Sequence, residues 1–337
     1  MNERNLGQAY TSVYHQGTLT LGLNFPIEAY SSPVADMQQQ ITLARRAEEG
    51  GFAALWSRDV PLLDPSFGDA GQLYDPWVWL GYVAAQTTKI ALGTGAIILP
   101  LRRPVDLAKA AASVDQLSAG RLLLGVASGD RPVEYAVYEV PFEQRGQTFR
   151  ETFAFIRAAT HRPAHWHNQQ AVGSQRVELL PKAHAGDIPL LVTGNSRQSL
   201  DWIAANADGW LMYPRPIEQQ RSVVTSWQHA VQAAGYEWKP FSQSLYIDLT
   251  ANPDTAASPI HLGYRLGRNT LLSHLEALRD LGVNHVSFNL RFSSRPVAEV
   301  LEEICEYVVP NFAVSGSTSR VTVSGFVVSH GVDDPVA

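Results

Sequence analysis

Cysteine is almost missing from this chain of 337 residues: Cys305 stands alone, which excludes an intrachain disulfide and any cysteine-based zinc cluster. Charge is sparse too. Lys and Arg number 26 against 32 Asp and Glu, a net charge of −6, so there is no basic stripe of the kind a nucleic-acid partner needs. No stretch approaches the ~18 uninterrupted apolar residues of a membrane span. Nor does Met1-Asn2-Glu3-Arg4-Asn5 begin a basic segment followed by an apolar one, so no secretory signal is expected and the cytoplasm is the expected location. The chain also lacks a G-x-S-x-G elbow, a G-x-x-x-x-G-K phosphate loop and a G-x-G-x-x-G turn after its first strand. Acyl hydrolase, P-loop and Rossmann chemistry therefore gain no support.

What is present is apolar material, 45% of the residues, arranged in a repeating order. Short apolar runs at 19–24, 52–57, 89–98, 121–127, 188–193, 209–213, 243–250 and 283–290 read as strands. Several are nearly continuous rather than alternating, as expected of parallel strands covered by helices on both sides of a sheet. Amphipathic segments near 35–49, 76–87, 104–118, 143–160, 196–207, 216–234, 270–281 and 295–309 read as helices. Asp36 with Gln39 resembles a capping box, while Pro76 and Pro104 suit a first helical turn. Eight strands alternating with eight helices is the count of a closed (β/α)8 TIM barrel; a doubly wound open sheet shares the alternation and is the competing architecture. The expected domain is a single barrel over 18–313, with insertions after helix 4 (161–187) and after strand 7 (251–269), the latter placed to serve as a lid. The Ser/Gly-rich tail, 314–337, is expected to be irregular or to reach a partner subunit.

In a barrel the chemistry sits at the C-terminal strand ends. Those ends carry Asn24, Trp56, Ser57, Arg58, Asp59, Thr94, Gly95, Ala96, Ser128, Gly129, Asp130, Thr193, Gly194, Asn195, Ser196, Tyr213, Asn289, Leu290 and Arg291. The set mixes small, aromatic and hydrogen-bonding groups with no carboxylate cluster, which suits a flat aromatic cofactor better than a hydrolytic pair or a metal. After the fifth strand, Thr193-Gly194-Asn195-Ser196-Arg197-Gln198-Ser199 opens a helix. Free N–H groups there, with serine hydroxyls and a cation, could hold an anion; equally, Asn195 or Ser196 could be an ordinary N-cap. Gly93 and Gly95 mark a bulge or a ligand's close approach, or else steric relief in the barrel wall. His161, His165 and His167 have a metal-like spacing, but Pro163 and the lack of carboxylate companions argue against a metal, and none is expected.

The stretch from Ile90 to Gly129, IALGTGAIILPLRRPVDLAKAAASVDQLSAGRLLLGVASG, carries a specific resemblance. Gly93-Thr94, Leu99-Pro100, Val114 to Ser118, Gly120-Arg121 and Leu124-Gly125 together resemble the hallmark region of the bacterial luciferase-like flavin-dependent monooxygenases. Glu48 to Trp56 and Ala207 to Trp210 add to the likeness, which runs from about Leu19 to Phe312. The resemblance implies a TIM barrel that takes reduced FMN, or in some branches a deazaflavin, at its mouth, often as a homodimer. It also implies a flavin phosphate at Ser196, Arg197, Gln198 and Ser199, and a non-proline cis peptide at Gly95–Ala96.

One departure matters. Luciferase has a catalytic histidine in the stretch matching Leu55 to Pro61, and this chain has none there. Arg58 is the candidate to stabilise negative charge, with Asp59 to orient it; a structural Arg–Asp pair at the rim is the alternative. Ser128 stands where luciferase has a phosphate-contacting arginine, leaving Arg197 as the replacement cation. The resulting expectation is a two-component monooxygenase using reduced FMN from a flavin reductase, with O2 and a small organic substrate. A deazaflavin-dependent dehydrogenase and a non-catalytic flavin-binding protein are the alternatives.

Overall fold

Each of the eight apolar runs forms a strand, and the strands close on themselves. The structure is a computed structural model that describes residues 4–30, 35–64, 74–161 and 178–312. In chain order the strands are β1 (Thr20–Asn24), β2 (Ala54–Ser57), β3 (Ala91–Thr94), β4 (Ile97–Ile98), β5 (Leu122–Ala127), β6 (Leu190–Thr193), β7 (Gly209–Met212), β8 (Phe241–Leu249), β9 (Ser258–Ile260), β10 (Gly263–Leu266) and β11 (His285–Asn289). All barrel neighbours pair in parallel in the order β1-β2-β3-β5-β6-β7-β8-β11, and β11 pairs back onto β1. β4 continues β3 after a break and pairs with β5. This is a closed (β/α)8 TIM barrel, so the open-sheet alternative falls.

The helices are α1 (Gly7–Val13), α2 (Gln40–Glu49), α3 (Pro76–Ala84), α4 (Pro104–Leu117), α5 (Pro132–Val137), α6 (Arg145–Thr160), α7 (Leu200–Asn206), α8 (Ile217–Ala233), α9 (Arg268–Leu281) and α10 (Val297–Tyr307). Pro76 and Pro104 each open a helix, as their missing N–H allows. The capping box at Asp36 does not form. Asp36 instead accepts from the Gln38 N–H at 2.9 Å, and α2 starts at Gln40, whose buried side chain accepts the Ile27 N–H at 2.7 Å. The helix expected from 196 likewise starts at Leu200, with Ser199 as its N-cap accepting from the Trp202 N–H.

Pleating separates two cores. Outward-facing Leu21, Leu55, Leu92, Leu124, Val192 and Phe288 pack under the helices, while Ala54, Trp56, Ala91, Leu123 and Leu191 fill the barrel with Val13 and Tyr14 from below. The N-terminal segment thus plugs the barrel floor: the Tyr10 hydroxyl donates to the Asp208 carbonyl at 2.8 Å. No sequence periodicity marked α1 or the six-residue α5. The insertion after strand 7 is partly sheet rather than loop, a β9–β10 hairpin whose β10 runs parallel to β8. Most of the insertion after helix 4 and the 314–337 tail lie outside the described residues.

Candidate active site at the barrel mouth

The strand ends surround a cavity of about 220 Å³ with two unlike walls. β8, β11 and β1 contribute Ser244, Tyr246, Ser287, Asn289 and Asn24, a hydrogen-bonding surface. The Asn24 amide donates to the Ser287 and Phe288 carbonyls, both at 3.1 Å, which fixes the side chain and leaves its Oδ1 as an acceptor. Opposite stand Gly95, Ala96, Ile98, Ala127, Leu211 and Met212, an apolar surface. Strand period explains which expected residues arrive. Asn24, Trp56 and Thr193 occupy inward positions and line the cavity. Thr94 faces the other way, buried, its hydroxyl donating to the Gly125 carbonyl at 2.7 Å, so it joins β3 to β5 instead of meeting a ligand.

Below the cavity, the Trp56 indole donates to His285 Nε2 at 2.9 Å. An indole N–H only donates, so Nε2 carries the lone pair and Nδ1 the hydrogen. Nδ1 then donates to the Thr20 hydroxyl at 2.8 Å, which itself donates to the Val13 carbonyl at 2.9 Å. Full burial pushes the His285 pKa down to about 3, consistent with a neutral ring. The chain of bonds locks the Trp56 ring in place, and only glycine fits beside it: a Cβ at Gly93 would overlap the indole. His285 was absent from the expected site because no motif marks it; its role depends on a partner 229 positions away.

The peptide bond Gly95–Ala96 is cis, at the break between β3 and β4. Gly95 donates to the Ser57 carbonyl at 2.8 Å. Asp59, buried, accepts from the Ile98 N–H at 2.9 Å and from Arg102 twice, at 2.5 and 2.7 Å. The expectation that Asp59 orients Arg58 is therefore corrected: its carboxylate clamps Arg102 and the strand that follows the bulge. Arg58 is half-buried and lines the cavity, and Tyr213 lies at its rim, about half exposed.

The turn after β6 is shaped by its own backbone. Ser196 and Arg197 both have positive φ, 44° and 60°, a conformation that non-glycine residues adopt rarely and that collects at functional sites. The Ser196 hydroxyl donates to the Thr193 carbonyl at 2.7 Å and accepts from the Ser128 N–H at 3.3 Å. The Gln198 side chain donates to the Gly146 and Ser196 carbonyls at 2.8 and 3.0 Å, tying the turn to α6. These side chains hold the turn and have no hydrogen left for an anion. Among the described residues, the N–H groups of Asn195, Ser196 and Arg197 have no acceptor, and the exposed Arg197 guanidinium has no ion-pair partner. Of this loop Thr193 lines the cavity; Gly194 to Ser199 lie just beyond, joined to the cavity-lining β5 loop through Ser196 and Ser128.

That β5 loop also brings in the expected Asp130 and, with it, Arg131 and Glu134, which sequence reasoning missed. Glu134 is 1% exposed, and neither carboxyl oxygen has a hydrogen-bond partner. Burial pushes its pKa up to about 7 against the opposing pull of Arg131, whose guanidinium is 3.7 Å away. Among the described residues no group of three or more His, Cys, Asp or Glu could hold a metal, and no helix is long and apolar enough to cross a membrane. His161 bonds Asp187 at 2.8 Å; His165 and His167 lie outside the described residues.

With the barrel and the cis bulge in view, comparison with known proteins is decisive on family. Residues 17–259 match the luciferase-like monooxygenase family. The chain belongs to that family. An uncharacterized protein of Mycobacterium tuberculosis is 32% identical over 236 residues, covering 65% of this chain and 82% of its own length. The alkanal monooxygenase alpha chain of Photorhabdus luminescens is 27% identical over 169 residues, 50% of this chain and 45% of that one. Among solved structures, monooxygenase RslO1 from Streptomyces bottropensis superposes with a TM-score of 0.71 at 19% identity, covering 87% of this chain and all of that one. The coenzyme F420-dependent tetrahydromethanopterin reductase of Methanopyrus kandleri gives 0.67 at 17% identity, covering 88% and 99%. This luciferase-like chain therefore stands among oxidoreductases and shares its barrel with both monooxygenases and F420-dependent enzymes.

Proposed function

We propose that this luciferase-like protein binds reduced FMN at the barrel mouth and oxygenates a small organic substrate, as the oxygenase of a two-component system. Its partners in this reading are a separate flavin reductase, O2 and a second copy of the chain, and its place is the cytoplasm. The observation that carries the reading is the joining of a flat apolar wall, made by Trp56 and the Gly95–Ala96 bulge, to a turn with three unsatisfied N–H groups. A phosphorylated planar heterocycle needs both. The residues fit such a group: the Thr193 hydroxyl is buried without a partner, and the space beside Gly194 is open.

In this reading Asn195, Ser196 and Arg197 hold the phosphate through backbone N–H groups and the Arg197 charge. Gln198 and the Ser128–Ser196 bond keep the turn in shape, and the Ser199 hydroxyl, capping α7, still has a hydrogen to donate. When bound, reduced FMN would supply the two electrons that, with two from the substrate, reduce O2, one oxygen atom ending in the substrate and the other in water. The chain's own contribution is orientation and exclusion of water. Trp56, fixed by His285, and the bulge, braced by Asp59 and Arg102, would form the wall against which the ring is held, with Leu262 from the β9–β10 hairpin and Tyr213 lining the same cavity. Arg58 places a positive charge where negative charge develops. Asn24, Ser287 and Asn289 offer hydrogen bonds to the polar edge of the ring or the substrate.

The fold shared with the F420-dependent reductase supports a second reading, hydride transfer by a deazaflavin. One experiment separates them: visible spectra of the purified chain titrated with FMN and with F420, followed by oxygen uptake with reduced FMN and candidate substrates. Binding of FMN with substrate-dependent oxygen uptake is expected. Tight binding of F420 without affinity for FMN would replace the first reading by the second.

A further inference from the structure

Monooxygenation from the reduced flavin anion requires one proton beyond those the cofactor carries: the anion FMNH−, O2, a substrate and one proton yield FMN, the oxygenated substrate and water. The stretch after β2 has no histidine to supply it. Among the described cavity-lining side chains there is no histidine. Of the other carboxylates there, Asp59 is clamped by Arg102 and the Ile98 N–H, and Asp130 is exposed to solvent. Glu134 is different. It projects from the first turn of α5 into the cavity wall, its oxygens have no hydrogen-bond partner, and its side chain is 1% exposed.

We propose that Glu134 is the proton-exchanging residue of this site. The proposal rests on the flavin reading above. In the resting site burial favours the neutral acid over the carboxylate. Asp59 and Asp130 both disfavour a further negative charge beside it, while Arg131 and Arg102 favour one. In the reaction the Glu134 O–H bond breaks and its proton moves to the oxygen that leaves as water; no electron changes hands in this step. The resulting carboxylate faces the Arg131 guanidinium at 3.7 Å, close enough for attraction but outside hydrogen-bond distance. Water reaching the cavity restores the proton. Burial raises the carboxyl's proton affinity to the neutral range, where donation and recovery are both accessible. Other buried titratable groups lack this freedom: His285 is bonded at both nitrogens, and Lys239 donates to the Ala204 and Ala207 carbonyls.

The test uses the full chain and the E134Q variant, which keeps shape and volume. Infrared spectra across pH 5–9 read the carboxyl directly. The wild type is expected to show a carboxylic acid band that titrates near neutrality, and E134Q to lack it. Calorimetry of anaerobic reduced FMN binding in two buffers of different ionisation enthalpy reads proton uptake. The wild type is expected to take up a fraction of a proton at pH 7.5 that E134Q does not, because the anionic ring raises the carboxyl's proton affinity. E134Q should bind FMN within about threefold of the wild type, since Glu134 is not part of the phosphate turn. Its reoxidation of bound reduced FMN in air should lose the pH dependence that the wild type shows.

Equal proton uptake in the two proteins, or the absence of a titrating band near neutrality, overturns the assignment while leaving flavin binding intact. A wild-type chain that binds neither FMN nor F420 overturns the cofactor reading instead, whatever the infrared band does, and the proton then has no destination here.

Discussion

Replacing Arg102 by alanine separates a structural from a catalytic role for Asp59. The Asp59 side chain is 1% exposed and Arg102 17%, with two contacts of 2.5 and 2.7 Å between them. Removing the guanidinium leaves a buried carboxylate with the Ile98 N–H as its remaining bond. Breaking one side of such a pair costs about 3–5 kcal/mol, because the surviving charge stays desolvated. At roughly 2 cal/mol/K of unfolding entropy per residue, a chain of this length loses about 1.4 °C of Tm per kcal/mol, so R102A should melt roughly 4–7 °C lower. The double variant D59N/R102M removes both charges and should recover most of that loss. Differential scanning calorimetry at pH 7 and low scan rate measures all three proteins. A Tm for R102A within 1 °C of the wild type, or a double variant as unstable as R102A, would refute the clamp.

Three further outcomes follow from the same geometry. G93A puts a Cβ into the Trp56 indole; overpacking of this kind costs about 1–3 kcal/mol and tilts the ring into the cavity, so lower Tm and weaker FMN fluorescence quenching are both expected. His285 has a folded pKa of about 3 against 6.5 unfolded, so its contribution is complete above pH 6.5 and drains away as pH falls toward 3, by up to ~1.4 kcal/mol per unit; urea unfolding of H285Q should show a flatter acid slope over pH 4–6.5. Glu134 runs the other way: its pKa rises from 4.5 to about 7 on folding, so stability falls as pH rises through that window, by at most on the order of 3 kcal/mol. E134Q should therefore be more stable than the wild type at pH 8 and indistinguishable at pH 4; the same gap at both values would contradict the buried-acid reading.

The barrel was legible because its signal is repeated. Eight apolar runs and eight amphipathic segments each carry the same period change, and local errors at 35–40 or 196–200 leave the count intact. Helix starts were less legible because several nearby residues could open each one: α2 begins at Gln40, whose side chain is taken up by Ile27, and Ser199 rather than Asn195 or Ser196 caps α7. Within the site, residues next to strand ends could be named, but not their facing. Thr94 and Thr193 both end apolar strands, yet the pleat turns one outward and the other into the cavity. Glu134 and His285 escaped for different reasons. Glu134 sits on a single short helix with no pattern to flag it, and His285 acquires its role through Trp56 and Thr20, which lie in β2 and β1. The pairing of Asp59 with Arg102 rather than with its neighbour Arg58 joins residues 43 positions apart, which no local pattern announces.

The most direct test of the account compares FMN with riboflavin, which differ by the phosphate alone, in fluorescence titrations of the wild-type chain and of R197Q. A phosphate held by the 195–197 N–H groups and the Arg197 charge should tighten FMN over riboflavin by at least tenfold, about 1.4 kcal/mol, and R197Q should shrink that ratio while leaving riboflavin unchanged. Equal affinity for the two flavins in the wild-type chain would contradict the placement of the cofactor on which the proposed function depends.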